Sequence, residues 1–183
     1  MKEVIRGKAY VLGDNIDTDA IIPAHFLHLS HANPAQKDEL GSHTFEGLPD
    51  GFPPFIKRGE TKTEYKVVVA GENFGCGSSR AQAPGCMNAC GVEAAVAQSY
   101  ARIFFRNSVN AGLLMPIESA GRLCDVIETG DEVEVYVKEC KLIRLKTGKE
   151  YPLRGLGAVA PILEAGDVFA YAKQIMTSGA SRK

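Results

Sequence analysis

Residues 65 to 98 constrain the fold more than any other part of the chain. Tyr65 to Gly71 (YKVVVAG) is rich in β-branched residues, nearly continuous in its apolar character and closed by glycine, as a buried strand is. A helix is predicted over 84–91, with Pro84 near its first position and Gly91 just past its end. The next apolar run, VEAAVAQ at 92–98, predicts a second buried strand. Strand, helix and strand in close succession point to a mixed α/β protein with helices packed around a central sheet.

The flanks extend this reading. Val4 to Leu12 has strand content and is closed by Gly13-Asp14-Asn15. Pro23 opens a short helix through Leu27. Helices are predicted over 101–110 and 120–127, with a short strand at 112–115 stopped by Pro116 between them. Residues 132–137 alternate as a half-exposed antiparallel strand does, and 142–145 and 150–153 form a hairpin about Thr147-Gly148. Asp167 caps a last helix running to Ile175. Residues 1–176 are expected to form one domain and 177–183 a flexible tail. Residues 30–64 carry Pro34, Gly41, Gly47, Pro49, Gly51, Pro53, Pro54 and Gly59, and read as a long excursion of loops and short helices.

The formal charge of −1 steers toward neither nucleic acid nor an anionic membrane. Five cysteines, an odd number without a C-x-x-C pair, disfavour a disulfide framework and favour a reducing compartment. No signal-peptide pattern and no apolar run of about 18 residues occurs. The expected location is the cytoplasm, or the plastid stroma if the source is a plant.

The chemistry concentrates in GENFGCGSSRAQAP, residues 71–84. Gly71, Gly75 and Gly77 allow conformations and close approaches that a β-carbon forbids. A strand feeding such a turn and then a helix gathers N–H groups about one point, which suits an anion. Ser78 and Ser79 add hydroxyls, and Arg80 adds a planar fork for a carboxylate. A phosphate-binding P-loop lacks its lysine here, and a nucleophile elbow lacks its second glycine. A plainer reading stays open: a glycine turn whose serine caps the next helix and whose arginine makes a surface ion pair. The run GDNIDTD, 13–19, places three aspartates after the first strand without the calcium-loop pattern, and alone reads as a solvated loop.

Taken in order, GDNIDTDAIIP, GENFGCGSSRAQAP and AQSYARIFFRNSVNAGLLMP resemble the swivel domain of the aconitase superfamily. In length and detail the chain resembles the separate small subunits of the 3-isopropylmalate dehydratase (isopropylmalate isomerase) family. The resemblance implies a swivelling β/β/α domain, with a mixed sheet flanked by helices and a strand-rich C-terminal part. It implies a hydro-lyase of leucine biosynthesis that isomerises 2-isopropylmalate to 3-isopropylmalate and is active only with a large subunit. Ser78 would be the catalytic base. Ser79, Arg80, Thr18 and Asp19 would hold substrate, and His25, Phe26, Leu27 and His28 would form the substrate-selectivity loop. A 4Fe-4S cluster would lie on the large subunit, with no metal in this chain.

Two departures from the family pattern stand out: His25-Phe26, and Ala81-Gln82 in place of Glu-His. Other readings are a related subunit acting on another 2-hydroxy diacid, of homoaconitase or citramalate type, and a stand-alone anion-binding module. Cys76 is read as a packed or oxidation-sensitive thiol, and Cys86 and Cys90 as core thiols. His25, His28, His31 and His43 are read as residues of a polar loop, and Arg102 to Arg106 as a helix with one exposed edge.

Overall fold

The computed structural model describes residues 2–180, with side chains through 178. Its strands are β1 (Val4–Val11), β2 (Tyr65–Ala70), β3 (Ala94–Ala97), β4 (Met115–Glu118), β5 (Glu132–Tyr136), β6 (Lys141–Arg144) and β7 (Lys149–Pro152). The helices are α1 (Thr18–Ile21), α2 (Pro34–Ser42), α3 (Gln82–Ala89), α4 (Arg102–Ala111), α5 (Ala160–Ala165) and α6 (Val168–Ala180). The strands make one seven-stranded sheet in the order β4-β3-β2-β1-β5-β6-β7. The first four are parallel, as crossovers through α3 and α4 demand. The last three form an antiparallel meander on the other side of β1. The mixed α/β class expected from the sequence is therefore the one observed.

The sheet curls until its ends meet. Ser119, just past β4, bridges Leu153, just past β7. Arg154 N–H donates to the Glu118 carbonyl at 2.7 Å, and Ala120 N–H to that of Pro152 at 3.1 Å. Alternation in β2 then feeds two cores. Val67 and Val69 join Ile5, Ala94, Val96, Val133 and Leu142 in one. Val68 and Ala70 join Tyr10, Ala95, Met87 and Phe74 in the other. Burial on both faces is why β2 reads as a continuous apolar run rather than an alternating one.

The 30–64 excursion is docked on the second core. Phe45 and Phe55 are buried. Their rings meet Tyr10, and the Tyr10 hydroxyl donates to the Pro53 carbonyl at 2.7 Å. Burial pushes the Tyr10 phenol up to about 12, so it is a donor at any working pH.

Several boundaries differ from the sequence reading, each for a local reason. The Asp-rich run contains α1, whose Asp17 side chain accepts from Ala20 N–H at 2.6 Å. Helix α3 starts at Gln82, so Pro84 lies in its first turn, where a missing N–H costs no helix bond. The strand expected at 112–115 is instead β4, which runs through Pro116; β4 is an edge strand, where proline is tolerated. Gly112 is the left-handed cap of α4. The helix expected over 120–127 is only a 3-10 turn, Leu123–Asp125. Helix α5 was not anticipated, and α6 continues to Ala180. Residues 177–180 of the expected tail are thus helical, and 181–183 lie outside the described residues.

Candidate active site

The three sequence motifs meet at the C-terminal ends of β1 and β2. The segments leaving the two strands stay laced together. Gly71 N–H donates to the Gly13 carbonyl (3.1 Å), Asn15 N–H to Glu72 (2.8 Å), Gly75 N–H to Ile16 (2.8 Å) and Thr18 N–H to Cys76 (2.8 Å). Side chains reinforce the lacing: Asp14 Oδ1 accepts from Glu72 N–H at 2.7 Å, and Asn73 Nδ2 donates to Asn15 Oδ1 at 2.9 Å. The third motif closes the back. Phe74 N–H donates to the Ser99 carbonyl at 3.0 Å, and Ala101 N–H to that of Phe74 at 2.9 Å. Phe104 of α4 is buried beneath the turn. Gly75 has φ +77°, and a β-carbon there would run into the Phe104 ring. Gly77 follows with φ +90°. Only glycine meets both demands without strain.

The laced base lifts residues 77–79 to the surface, where all three are exposed. Their N–H groups find no backbone acceptor among the described residues. Neither serine caps α3: its N-cap is Ala81 and no side chain bonds there. This removes the serine-capping half of the plainer reading. Ser78 Oγ lies 3.2 Å from Thr18 Oγ1, which is also 3.3 Å from the Ser78 carbonyl. Thr18 itself is 1% exposed.

Arg80 folds back from the same turn. Its Nη1 pairs with Asp19 Oδ1 at 2.5 Å and donates to the Ile22 carbonyl at 3.0 Å. The side chain is 14% exposed while that of Asp19 is 60% exposed. Nε and Nη2 make no hydrogen bond among the described residues. The structure therefore brings Thr18, Asp19, Ser78 and Arg80 together, with Ser79 exposed beside them.

The 25–28 segment is anchored to the same spot. Ala24–Phe26 form a 3-10 turn, and Gln82 Nε2 donates to the Leu27 carbonyl at 3.3 Å. Phe26 is half-buried, stacked on His43 with centroids 3.6 Å apart, whereas His25 and His28 are exposed. Gln82, which bonds the Leu27 carbonyl, and the Ile22 carbonyl, which accepts from Arg80, were not among the candidate site residues. The only signal for Gln82 was its place two residues after Arg80, where the sequence leaves the family pattern.

The remaining histidines and cysteines disperse. His28 Nδ1 contacts the His25 carbonyl, His43 pairs with Glu46, and His31 packs over Gly85. Among the described residues no three of His, Cys, Asp or Glu converge in a way that could hold a metal ion. The thiols of Cys86 and Cys90 are buried and directed at the carbonyls of Ala83 and Met87. Burial, more than any neighbour, pushes the Cys90 thiol up to about 11 and raises that of Cys86 further. Burial and then the Asp17 charge raise the Cys76 thiol, which stays protonated beside the site. These donors do not fit an iron–sulfur cluster.

The serine turn lines neither of two larger cavities. One of about 650 Å³ lies at the opposite ends of the parallel strands, near Lys2, Glu93 and Leu113. One of about 510 Å³ adjoins Asp14, Asp17 and Asp19. The serine turn thus lies on an open face rather than in a closed pocket.

Residues 8–121 match the family model of the aconitase C-terminal domain. The chain is 50% identical over 176 residues to 3-isopropylmalate dehydratase small subunit 1 of Arabidopsis thaliana, covering 94% of this chain and 70% of that one. It is 42% identical over 179 residues to the 3-isopropylmalate dehydratase small subunit of Aquifex aeolicus, covering 97% and 99%. A crystal structure of 3-isopropylmalate dehydratase from Methanocaldococcus jannaschii superposes with a TM-score of 0.80 at 37% identity, covering 98% of this chain and 99% of that one.

Proposed function

The chain belongs to the aconitase family, among the small subunits of 3-isopropylmalate dehydratase, and from that premise we propose how its surface takes part in the reaction. The protein is a hydro-lyase subunit that works with a large subunit. The reaction is the interconversion of 2-isopropylmalate and 3-isopropylmalate in leucine biosynthesis. Ser78, as alkoxide, takes the proton from carbon while the hydroxyl on the neighbouring carbon takes up a proton and departs as water, leaving an alkene. Ser78 then gives its proton back to carbon while water, losing one proton, adds its hydroxyl to the other carbon.

A serine is a poor base unless its anion is stabilised. The exposed amides of residues 77–79 and the positive charge of Arg80 supply that stabilisation. Ser79 and Arg80 hold a substrate carboxylate, with Asp19 fixing Arg80 beside them. The loop of His25, Phe26, Leu27 and His28, tied to α3 by Gln82, meets the group that distinguishes one substituted malate from another. In this reading a 4Fe-4S cluster on the large subunit would act as Lewis acid on the departing hydroxyl. Such chemistry needs a water-excluded site, and an open face supplies one only when a partner covers it.

The observation that carries this reading is Ser78, an exposed residue in a turn whose amides find no backbone acceptor among the described residues, free of any capping duty. The test is Ser78→Ala in the enzyme assembled with its large subunit. Assembly by size-exclusion chromatography is expected to be unchanged and turnover abolished. Turnover near that of the unaltered enzyme would overturn the assignment.

A further inference from the structure

Thr18 is 1% exposed, so a ligand on the open face meets the serine turn before it meets Thr18. Its hydroxyl nevertheless touches the reacting group, at 3.2 Å from Ser78 Oγ and 3.3 Å from the Ser78 carbonyl. Its own position is fixed from two sides. Thr18 N–H donates to the Cys76 carbonyl at 2.8 Å, and Asp17 caps the helix that Thr18 begins. We infer that Thr18 is a positioning residue: its hydroxyl sets and stabilises the Ser78 oxygen from beneath, and it does not bind substrate. The inference rests on the assignment of Ser78 as base and replaces the substrate-binding role that Thr18 otherwise takes.

The chemistry follows from one hydroxyl having one proton and two lone pairs. While Ser78 is protonated, Thr18 gives its proton to the Ser78 carbonyl and accepts that of Ser78 Oγ. When Ser78 is the alkoxide, the Thr18 proton turns to Oγ, a charge-assisted bond made only in the reactive state. A donor that strengthens as charge develops raises kcat rather than lowering KM. Asp19 and the Ile22 carbonyl hold Arg80 from the same short stretch of chain. Helix α1 thus sets both the base and the guanidinium beside it.

The test uses Thr18→Val, which keeps the shape and loses the hydroxyl, and Thr18→Ser, which keeps the hydroxyl, each assembled with the large subunit. For Thr18→Val, kcat is expected to fall about 100-fold, in the range for one lost oxyanion donor, with KM nearly unchanged. The isotope effect on kcat, measured with substrate deuterated at the carbon that loses its proton, is expected to rise. Thr18→Ser is expected to remain within a few-fold of the unaltered enzyme. If Thr18→Val does not assemble, Thr18→Ala takes its place, with the same loss expected. A Thr18→Val enzyme with unchanged kcat, or one whose KM alone rises, would overturn the inference. Ser78→Ala run alongside separates the two claims. If it is inactive while Thr18→Val is not, only the positioning role fails; if it is active, the base assignment fails.

Discussion

Arg80 divides its guanidinium between two tasks. One nitrogen is committed to Asp19 and the Ile22 carbonyl, which fixes the plane of the fork. Nε and Nη2 make no hydrogen bond among the described residues, and the proposed clamp assigns them to a ligand carboxylate. Lysine carries the same charge but cannot serve both directions at once. Arg80→Lys is expected to lower kcat/KM of the assembled enzyme by about 100-fold, roughly 3 kcal/mol, with steady-state kinetics as the readout; an unchanged value would remove Arg80 from the clamp. At this scale the sequence was only half legible. Serines and an arginine after glycines suit an anion, but a capping serine with a surface ion pair would read the same way in the sequence. The Asp19 partner lies 61 positions from Arg80, and no local pattern links them. The burial of Thr18 was equally hidden, since it comes with the isolated bridge between Asp17 and Cys76, which are far apart in sequence.

At the scale of elements, the site depends on how the segments after β1 and β2 are tied. Asp14 is the knot: it accepts from Glu72 N–H and pairs with Arg122 at 2.6 Å. The Arg122 hydrogen bond, followed by that of the Glu72 backbone, holds its carboxyl below the ordinary aspartate value of 3.8. A carboxyl lowered in the folded state stabilises it above the unfolded value, and that stability is lost as pH falls through the folded one. The melting temperature should therefore be higher for the unaltered protein than for Asp14→Asn near neutral pH. The gap should close toward acid, and a gap constant with pH would contradict the account. The parallel strands were legible because burial on both faces writes continuous apolar runs. Strand β4 was misplaced because Pro116 looks like a stop, and only its edge position makes it tolerable. Helix α5 escaped notice because APILEA is too short to show a helical period.

For the whole molecule, the curled sheet carries the serine turn and the segment after β1 on one open face. Among the described residues no helix is long and apolar enough to cross a membrane, and no metal-holding cluster occurs. The class of fold was legible from strand and helix order, and the family from three motifs in sequence. The closure of the sheet through Ser119 and Leu153 was not, because it joins segments that share no local pattern. The open face explains why the assembled enzyme, rather than this chain alone, is the object to measure. The most direct measurement follows the label from substrate deuterated at the carbon that loses its hydrogen. Enzyme assembled with the unaltered chain is expected to lose that deuterium from its original carbon as the alkene forms, whether Ser78 then returns it to the product or exchanges it with water. Enzyme assembled with Ser78→Ala is expected to bind the substrate and retain the label. Loss of the label from that carbon by the Ser78→Ala enzyme at the unaltered rate would show that another group is the base.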